Sequence, residues 1–200
     1  MIKIIDYGTG NINSISNMLD KIKVKNLIVS SKNNLNKNDK IILPGVGSYD
    51  KAIRSLKKNG IYEELKTNYL KKDYKILGIC LGMQILCKGS EEGNEDGLNF
   101  FDTVCKKFHK NNNKFTTMGW MKIKTQIDDP IVNGIDKNSR FYFLHSYYIE
   151  ASMDFTISNA NNFQTDYSCI IKNKNIYGFQ FHPERSHNYG LKILENFSKV

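Results

Sequence analysis

An α/β protein with a central, mostly parallel sheet flanked by helices is predicted by three features of this sequence. Through the first half, short runs rich in β-branched residues alternate with amphipathic runs at helical spacing, the rhythm of βαβ units. One apolar run, Lys75-Ile76-Leu77-Gly78-Ile79, passes straight into Cys80-Leu81-Gly82-Met83-Gln84-Ile85-Leu86, which reads as a helix. From Phe100 onward the pattern changes to closely spaced short strands, which predicts an antiparallel β layer added beside the parallel core.

Taken in order, a first strand covers residues 3–6, helical spacing covers 12–22, strands follow at 27–30 and 40–43, and a helical stretch spans 48–72. Gly8-Thr9-Gly10-Asn11 is a turn into the first helix with Asn11 as its N-cap, and it lacks the dinucleotide-binding fingerprint. After strand 75–79 and its helix, strands are expected at 100–108, 122–126, 141–150, 155–158, 167–172 and 176–181, and a closing amphipathic helix over 187–198. Asparagine clusters at 111–113 and 161–162 punctuate them. With no internal repeat or linker, 200 residues are expected to form a single domain, 1–200.

Composition narrows the function. No apolar run approaches the roughly 20 residues needed to span a bilayer, and residues 1–8 have neither the apolar length nor the cleavage site of a secretory signal. A cytoplasmic protein without a membrane partner is expected. The net charge of +9 comes from dispersed lysines that no basic, aromatic-interleaved run concentrates, so nucleic acid is not expected as a partner. Cys80, Cys87, Cys105 and Cys169 are scattered, and His109, His145, His182 and His187 share no ligand spacing with them. Reduced thiols, no metal and no cofactor are expected.

Three local patterns carry chemistry. In Gly78-Ile79-Cys80-Leu81-Gly82 the glycines let the chain turn sharply and present a nucleophile exposed at the end of a strand, where backbone N–H groups and the following helix favour a thiolate. In Gly178-Phe179-Gln180-Phe181-His182-Pro183-Glu184, a histidine and a glutamate two residues apart can present both side chains on one side of the chain. Such a histidine can take a thiol proton and return it to a leaving group while the carboxylate fixes its tautomer. Leu43-Pro44-Gly45-Val46-Gly47 follows a strand and can aim backbone N–H groups at an anion; lacking the lysine and hydroxyl of a phosphate loop, it suits an oxyanion better.

In this order on this rhythm of strands, the three patterns resemble the class I (triad) glutamine amidotransferases, whose flavodoxin-like fold the resemblance implies over nearly the whole chain. Within that family, Asp6 through Asn11, Pro44 through Gly47, Gly78 through Gln84, Met118-Gly119-Trp120, His145-Ser146-Tyr147 and Gly178 through Ser186 resemble the glutaminase subunits of imidazole glycerol phosphate synthases. The resemblance implies that glutamine is hydrolysed to glutamate and ammonia, and that ammonia passes to a (β/α)₈-barrel cyclase subunit, the heterodimer partner, which makes imidazole glycerol phosphate in histidine biosynthesis. It implies Cys80 as nucleophile, His182 as base and acid, and Glu184 as orienting carboxylate. An oxyanion hole would come from Gly45, Val46 and Leu81. Gly47, Gln84, Ser146 and Tyr147 would hold the amino-acid end of glutamine, and Asn11, Met118, Trp120 and Arg185 would face the partner. Three features depart from the family pattern: Met121 stands where asparagine is expected, Arg185 where lysine is expected, and His187-Asn188-Tyr189 follows Ser186. Arginine and lysine do not make the same directed ion pair. The alternative expectation is therefore a paralogous glutaminase feeding a related barrel enzyme, such as an amidotransferase of surface-polysaccharide sugar synthesis.

Overall fold

A computed structural model describes residues 1–110, 113–151, 153–162 and 165–200. The first half comprises β1 (Ile2–Ile5), α1 (Ile12–Lys21), β2 (Asn26–Val29), β3 (Lys40–Gly45), α2 (Tyr49–Lys58), α3 (Ile61–Asn68), β4 (Lys75–Cys80) and α4 (Leu81–Leu86). The second comprises β5 (Cys87–Ser90), β6 (Phe101–Lys107), β7 (His109–Lys110), β8 (Asn113–Lys114), β9 (Thr117–Lys122), β10 (Lys124–Thr125), β11 (Arg140–His145), β12 (Tyr147–Glu150), β13 (Thr156–Asn162), β14 (Thr165–Asn173), β15 (Ile176–Phe179) and α5 (His187–Lys199).

Strands β2, β1, β3, β4 and β15 lie side by side and are all parallel, and the sheet continues through β14, β12 and β6 by antiparallel pairing. The expected α/β class, a mostly parallel core with an added antiparallel layer, is what the chain adopts. Every residue of β1 and β15 is buried, because each face of the parallel core is covered, and all but Lys3 are apolar or aromatic residues or glycine. One face packs Ile5, Leu43 and Ile76 against Tyr49, Ile53, Leu56 and Leu65 of α2 and α3. The other packs Ile4, Ile42 and Leu77 against Ile15 and Leu19 of α1 and Ile193, Leu194 and Phe197 of α5. No helix among the described residues is long and apolar enough to cross a membrane.

Several local expectations need correction. The helical stretch expected over 48–72 is two helices, because Gly60 takes a left-handed conformation (φ 75°) that ends the first and begins the second. Asn11 occupies the N-cap position of α1, but its side chain makes no capping hydrogen bond. The single strand expected over 141–150 breaks at Ser146: β11 pairs with β9 in a separate two-stranded sheet, and β12 pairs with β6 and β14 of the main one. The chain crosses between sheets there, with the Ser146 carbonyl accepting from Phe108 N at 2.9 Å. Strands β5, β7, β8 and β9 are additions to the expected elements, and the strand expected at 122–126 is split between Lys122, the end of β9, and β10. Asn161 and Asn162 are the last paired residues of β13, whereas Asn111 and Asn112 lie outside the described residues.

Candidate active site

The turn from β4 into α4 places Cys80 at φ 53°, ψ −107°, a conformation that a non-glycine residue holds only when its surroundings enforce it. Close packing does so. A Cβ at Gly82 would lie 1.8 Å from the Leu43 carbonyl oxygen, and one at Gly78 would lie 2.5 Å from Gly82. The two flanking glycines thus let α4 pack directly on β3 and β4. Contrary to the expectation of an exposed nucleophile, Cys80 is only 6% exposed. It lies in a cavity of ≈ 250 Å³ lined also by Val46, Gly47, Leu81, Gln84, Glu92, Leu144, His145, Ser146 and Tyr147. Its thiol points to the Leu144 carbonyl at 3.7 Å and receives the side-chain amide of Gln180 at 3.7 Å.

His182 and Glu184 leave β15 through the 3₁₀ turn Pro183–Arg185. The His182 Nδ1 and Glu184 Oε1 are 2.8 Å apart, with both side chains almost fully buried. Strand β11 fixes this turn: Tyr142 O accepts from His182 N at 2.8 Å, and Ser186 Oγ accepts from Tyr142 N at 3.0 Å while donating to His182 O at 2.6 Å. His182 Nε2 is buried without a hydrogen-bond partner among the described residues. Burial pulls the imidazole down, but the charge and hydrogen-bonding capacity of neighbouring Cys80, together with Glu184, outweigh it and raise its pKa to about 10. His145 behaves oppositely: burial first, and the charge of His182 after it, push its pKa down to about 3. Its ring remains neutral, with Nδ1 2.8 Å from Tyr147 O.

Of the residues expected to meet the amino-acid end of a substrate, Gly47, Gln84, Ser146 and Tyr147 line one cavity with Cys80. Gln84 donates to the Tyr147 carbonyl at 3.3 Å and Ser146 shares a hydrogen bond with Thr116 at 2.7 Å. Val46 and Leu81 line the same cavity; Gly45 is not among its lining residues and is paired with Cys80 in register. Sequence reasoning misses Glu92, which reaches this cavity from the segment after β5, accepts from Tyr49 N at 3.0 Å and is raised in pKa chiefly by burial. No motif marks it among the neighbouring acids Glu91 and Glu95. It also misses Gln180, whose sequence signal is its place two residues before the histidine.

A second cavity, of ≈ 260 Å³, is lined by Gly10, Asn11, Val46, Leu144, His182, Glu184 and Arg185. Val46 and Leu144 line both. Next to this second opening lies an exposed aromatic group. Trp120 is 45% exposed, stacks on His187 (5.2 Å, 9°) and meets Tyr142 edge-on, while the Arg185 guanidinium lies 5.4 Å over Tyr142. Met118 is 69% exposed on the same side of β9. Met121 points the other way, into the core, where its sulfur accepts from the Tyr167 hydroxyl at 3.4 Å; its departure from the family pattern is thus not on the exposed face.

Residues 3–200 match the model of the family described as "Glutamine amidotransferase class-I". Two relatives from Methanococcus maripaludis, "Imidazole glycerol phosphate synthase subunit HisH 2" and "HisH 1", are 41% and 40% identical to this chain. The alignments cover the whole of this chain and 99% and 100% of theirs. Among solved structures, PurLQS from Thermotoga maritima superposes with a TM-score of 0.77 at 18% identity, covering 99% of this chain and 97% of that one, a likeness of fold.

Proposed function

Because this chain belongs to the class-I glutamine amidotransferase family, we propose that it is the glutaminase subunit of an imidazole glycerol phosphate synthase, acting in histidine biosynthesis in the cytoplasm. The observation that carries this reading is Cys80, held at positive φ at the start of α4, together with the buried His182 whose Nδ1 lies 2.8 Å from Glu184 Oε1. Glutamine enters the cavity of Cys80. Gln84, Gly47, Ser146 and Tyr147 meet its amino-acid end, with the Glu92 carboxylate available to the ammonium group. As the Cys80 sulfur attacks the side-chain amide carbon, its thiol proton passes to His182, and backbone N–H groups of Gly45, Val46 and Leu81 receive the oxyanion. His182 gives its proton to the departing nitrogen, ammonia leaves, and a glutamyl thioester remains. Water, deprotonated by His182, then releases glutamate and restores Cys80; no step asks for a metal or cofactor.

Ammonia leaves by the second cavity toward a (β/α)₈-barrel cyclase subunit docked on Asn11, Met118, Trp120 and Arg185. Exposed Trp and Met beside a catalytic opening are the residue types that anchor interfaces. The test is glutamate release by the purified chain, alone and with that cyclase and its nucleotide ligand. Cys80→Ala is expected to abolish glutamine-dependent turnover, by roughly 10⁴-fold or more, and to leave the ammonia-dependent reaction of the partner intact. Loss of both, or retained glutaminase, contradicts the reading.

A second reading is a paralogue serving a related barrel enzyme, for example one amidating a surface-polysaccharide sugar. Two observations favour it: Arg185 and His187 are engaged with Tyr142 and Trp120 at the docking face, and one organism carries two relatives of the same name. Cys80-dependent turnover that the cyclase does not stimulate would favour this second acceptor.

A further inference from the structure

Tyr7 is an unused polar group beside the machinery. It follows β1 in the turn that leads to α1, is 3% exposed, and donates its hydroxyl proton to the carbonyl oxygen of Pro44. Pro44 has no N–H, so its carbonyl is the one backbone polar group with which it can be tethered. The residues that follow are Gly45, Val46 and Gly47. The contact is close on every side: a Cβ at Gly45 would lie 2.8 Å from the Tyr7 hydroxyl and 2.7 Å from Leu81 Cβ, and one at Gly10 would lie 3.2 Å from Pro44 and 3.3 Å from Gly45 N. Gly45 in turn pairs in register with Cys80. Burial first, and the charge of Cys80 after it, raise the Tyr7 hydroxyl well above its ordinary value, which keeps it a proton donor through the physiological range.

Beyond Gly45 the loop loses its support. Val46 is exposed, and a Cβ added at Gly47, where φ is 108°, would meet nothing within 4 Å. The Pro44 carbonyl shares its peptide plane with the Gly45 N–H, so the hydroxyl of Tyr7, by holding that carbonyl, also holds the plane of the Gly45 N–H at the start of the loop. We infer that Tyr7 is a positioning residue for the oxyanion site: by holding the Pro44 carbonyl, it aims the N–H groups of the Gly45-Val46 segment at the reacting carbonyl oxygen. This rests on the glutaminase reading above. It predicts a loss confined to the transition state, because donors misaimed by a fraction of an ångström weaken the developing oxyanion far more than they weaken bound glutamine.

Tyr7→Phe keeps the buried ring and removes only the hydroxyl. Full-chain protein should be assayed for kcat and KM toward glutamine, for Tm, and for the rate at which iodoacetamide alkylates Cys80, a reaction that needs the nucleophile but no oxyanion site. The expected result is a kcat reduced roughly 10- to 100-fold, with KM and the alkylation rate within about twofold of wild type and Tm lowered by a few degrees at most. An unchanged kcat overturns the inference and leaves the glutaminase reading standing. So does a parallel fall of kcat and alkylation, which would make the hydroxyl a support of the elbow as a whole. A wild-type chain that turns over no glutamine under any condition overturns the glutaminase reading and this inference with it.

Discussion

In the parallel part of the sheet, β1, β3, β4 and β15 bury nearly every residue between two helical layers, whereas the β9–β11 pair holds Met118, Trp120 and Leu144 out to solvent. Both regions touch the same site. The first supplies Cys80 and leads into the His182 turn; the second steadies that turn from behind, through Tyr142. Their difference is one of constraint. At Cys80 an unfavourable backbone conformation is enforced by glycine contacts that leave no room for a methyl group, the rigidity that the proposed nucleophile calls for. At Trp120, stacked rings and a guanidinium form an exposed surface that no close packing of this kind fixes.

The sharpest way to break this contrast is to put a side chain where the parallel part admits none. Gly82→Ala drives a methyl into the Leu43 carbonyl, and the expected cost is about 3 kcal/mol of stability, a fall in Tm of roughly 10 °C, together with loss of glutamine turnover. Unfolding and activity measurements on one preparation check it; a variant as stable and active as wild type would mean that the elbow is not enforced by packing.

Glu184→Gln is expected to act next most strongly, lowering kcat by roughly 100-fold or more while leaving the fold. It also carries a pH signature. His182 has a folded pKa raised to about 10, above its unfolded value of about 6.5. The stability and acid function contributed by its proton are therefore complete below the unfolded value and lost as pH rises through the folded one. Without the carboxylate the folded pKa falls, so the alkaline limb of kcat must move to lower pH. A limb that stays where it is would show that Glu184 does not hold the proton.

How far the sequence announces these two regions follows the same contrast. The elbow is legible because its sterics are local: Gly78, Cys80 and Gly82 state the turn within five residues, and His182 and Glu184 are close enough to be read as a pair. Glu92 is not legible, since its position depends on β5 pairing with β6 and on α2 offering the Tyr49 N–H. Strand β9 is hidden for a similar reason. Gly119 at φ 131° interrupts its run, and its pairing partner β11 begins eighteen residues beyond its end. The break at Ser146 is equally invisible, because two adjacent β-rich runs join different sheets and only tertiary pairing separates them.

On the exposed side the expected effect is smallest and of a different kind. Trp120→Ala should leave glutamine hydrolysis by the isolated chain unchanged within about twofold, and weaken binding of the proposed barrel subunit by about 2 kcal/mol, roughly 30-fold in Kd. Titration calorimetry alongside the glutaminase assay separates the two. A fall in the isolated chain's turnover equal to the loss of binding would place Trp120 in the support of the active site instead of at the proposed docking face.

The most direct test of the account is to ask which of four buried cysteines behaves as the nucleophile. The purified chain is incubated with a chloroketone that mimics glutamine, with and without excess glutamine, and the adduct is located by peptide mass spectrometry. A single adduct on Cys80, suppressed by glutamine, is the predicted result. Modification of Cys87, Cys105 or Cys169 in its place, or labelling of Cys80 that glutamine does not suppress, would contradict it.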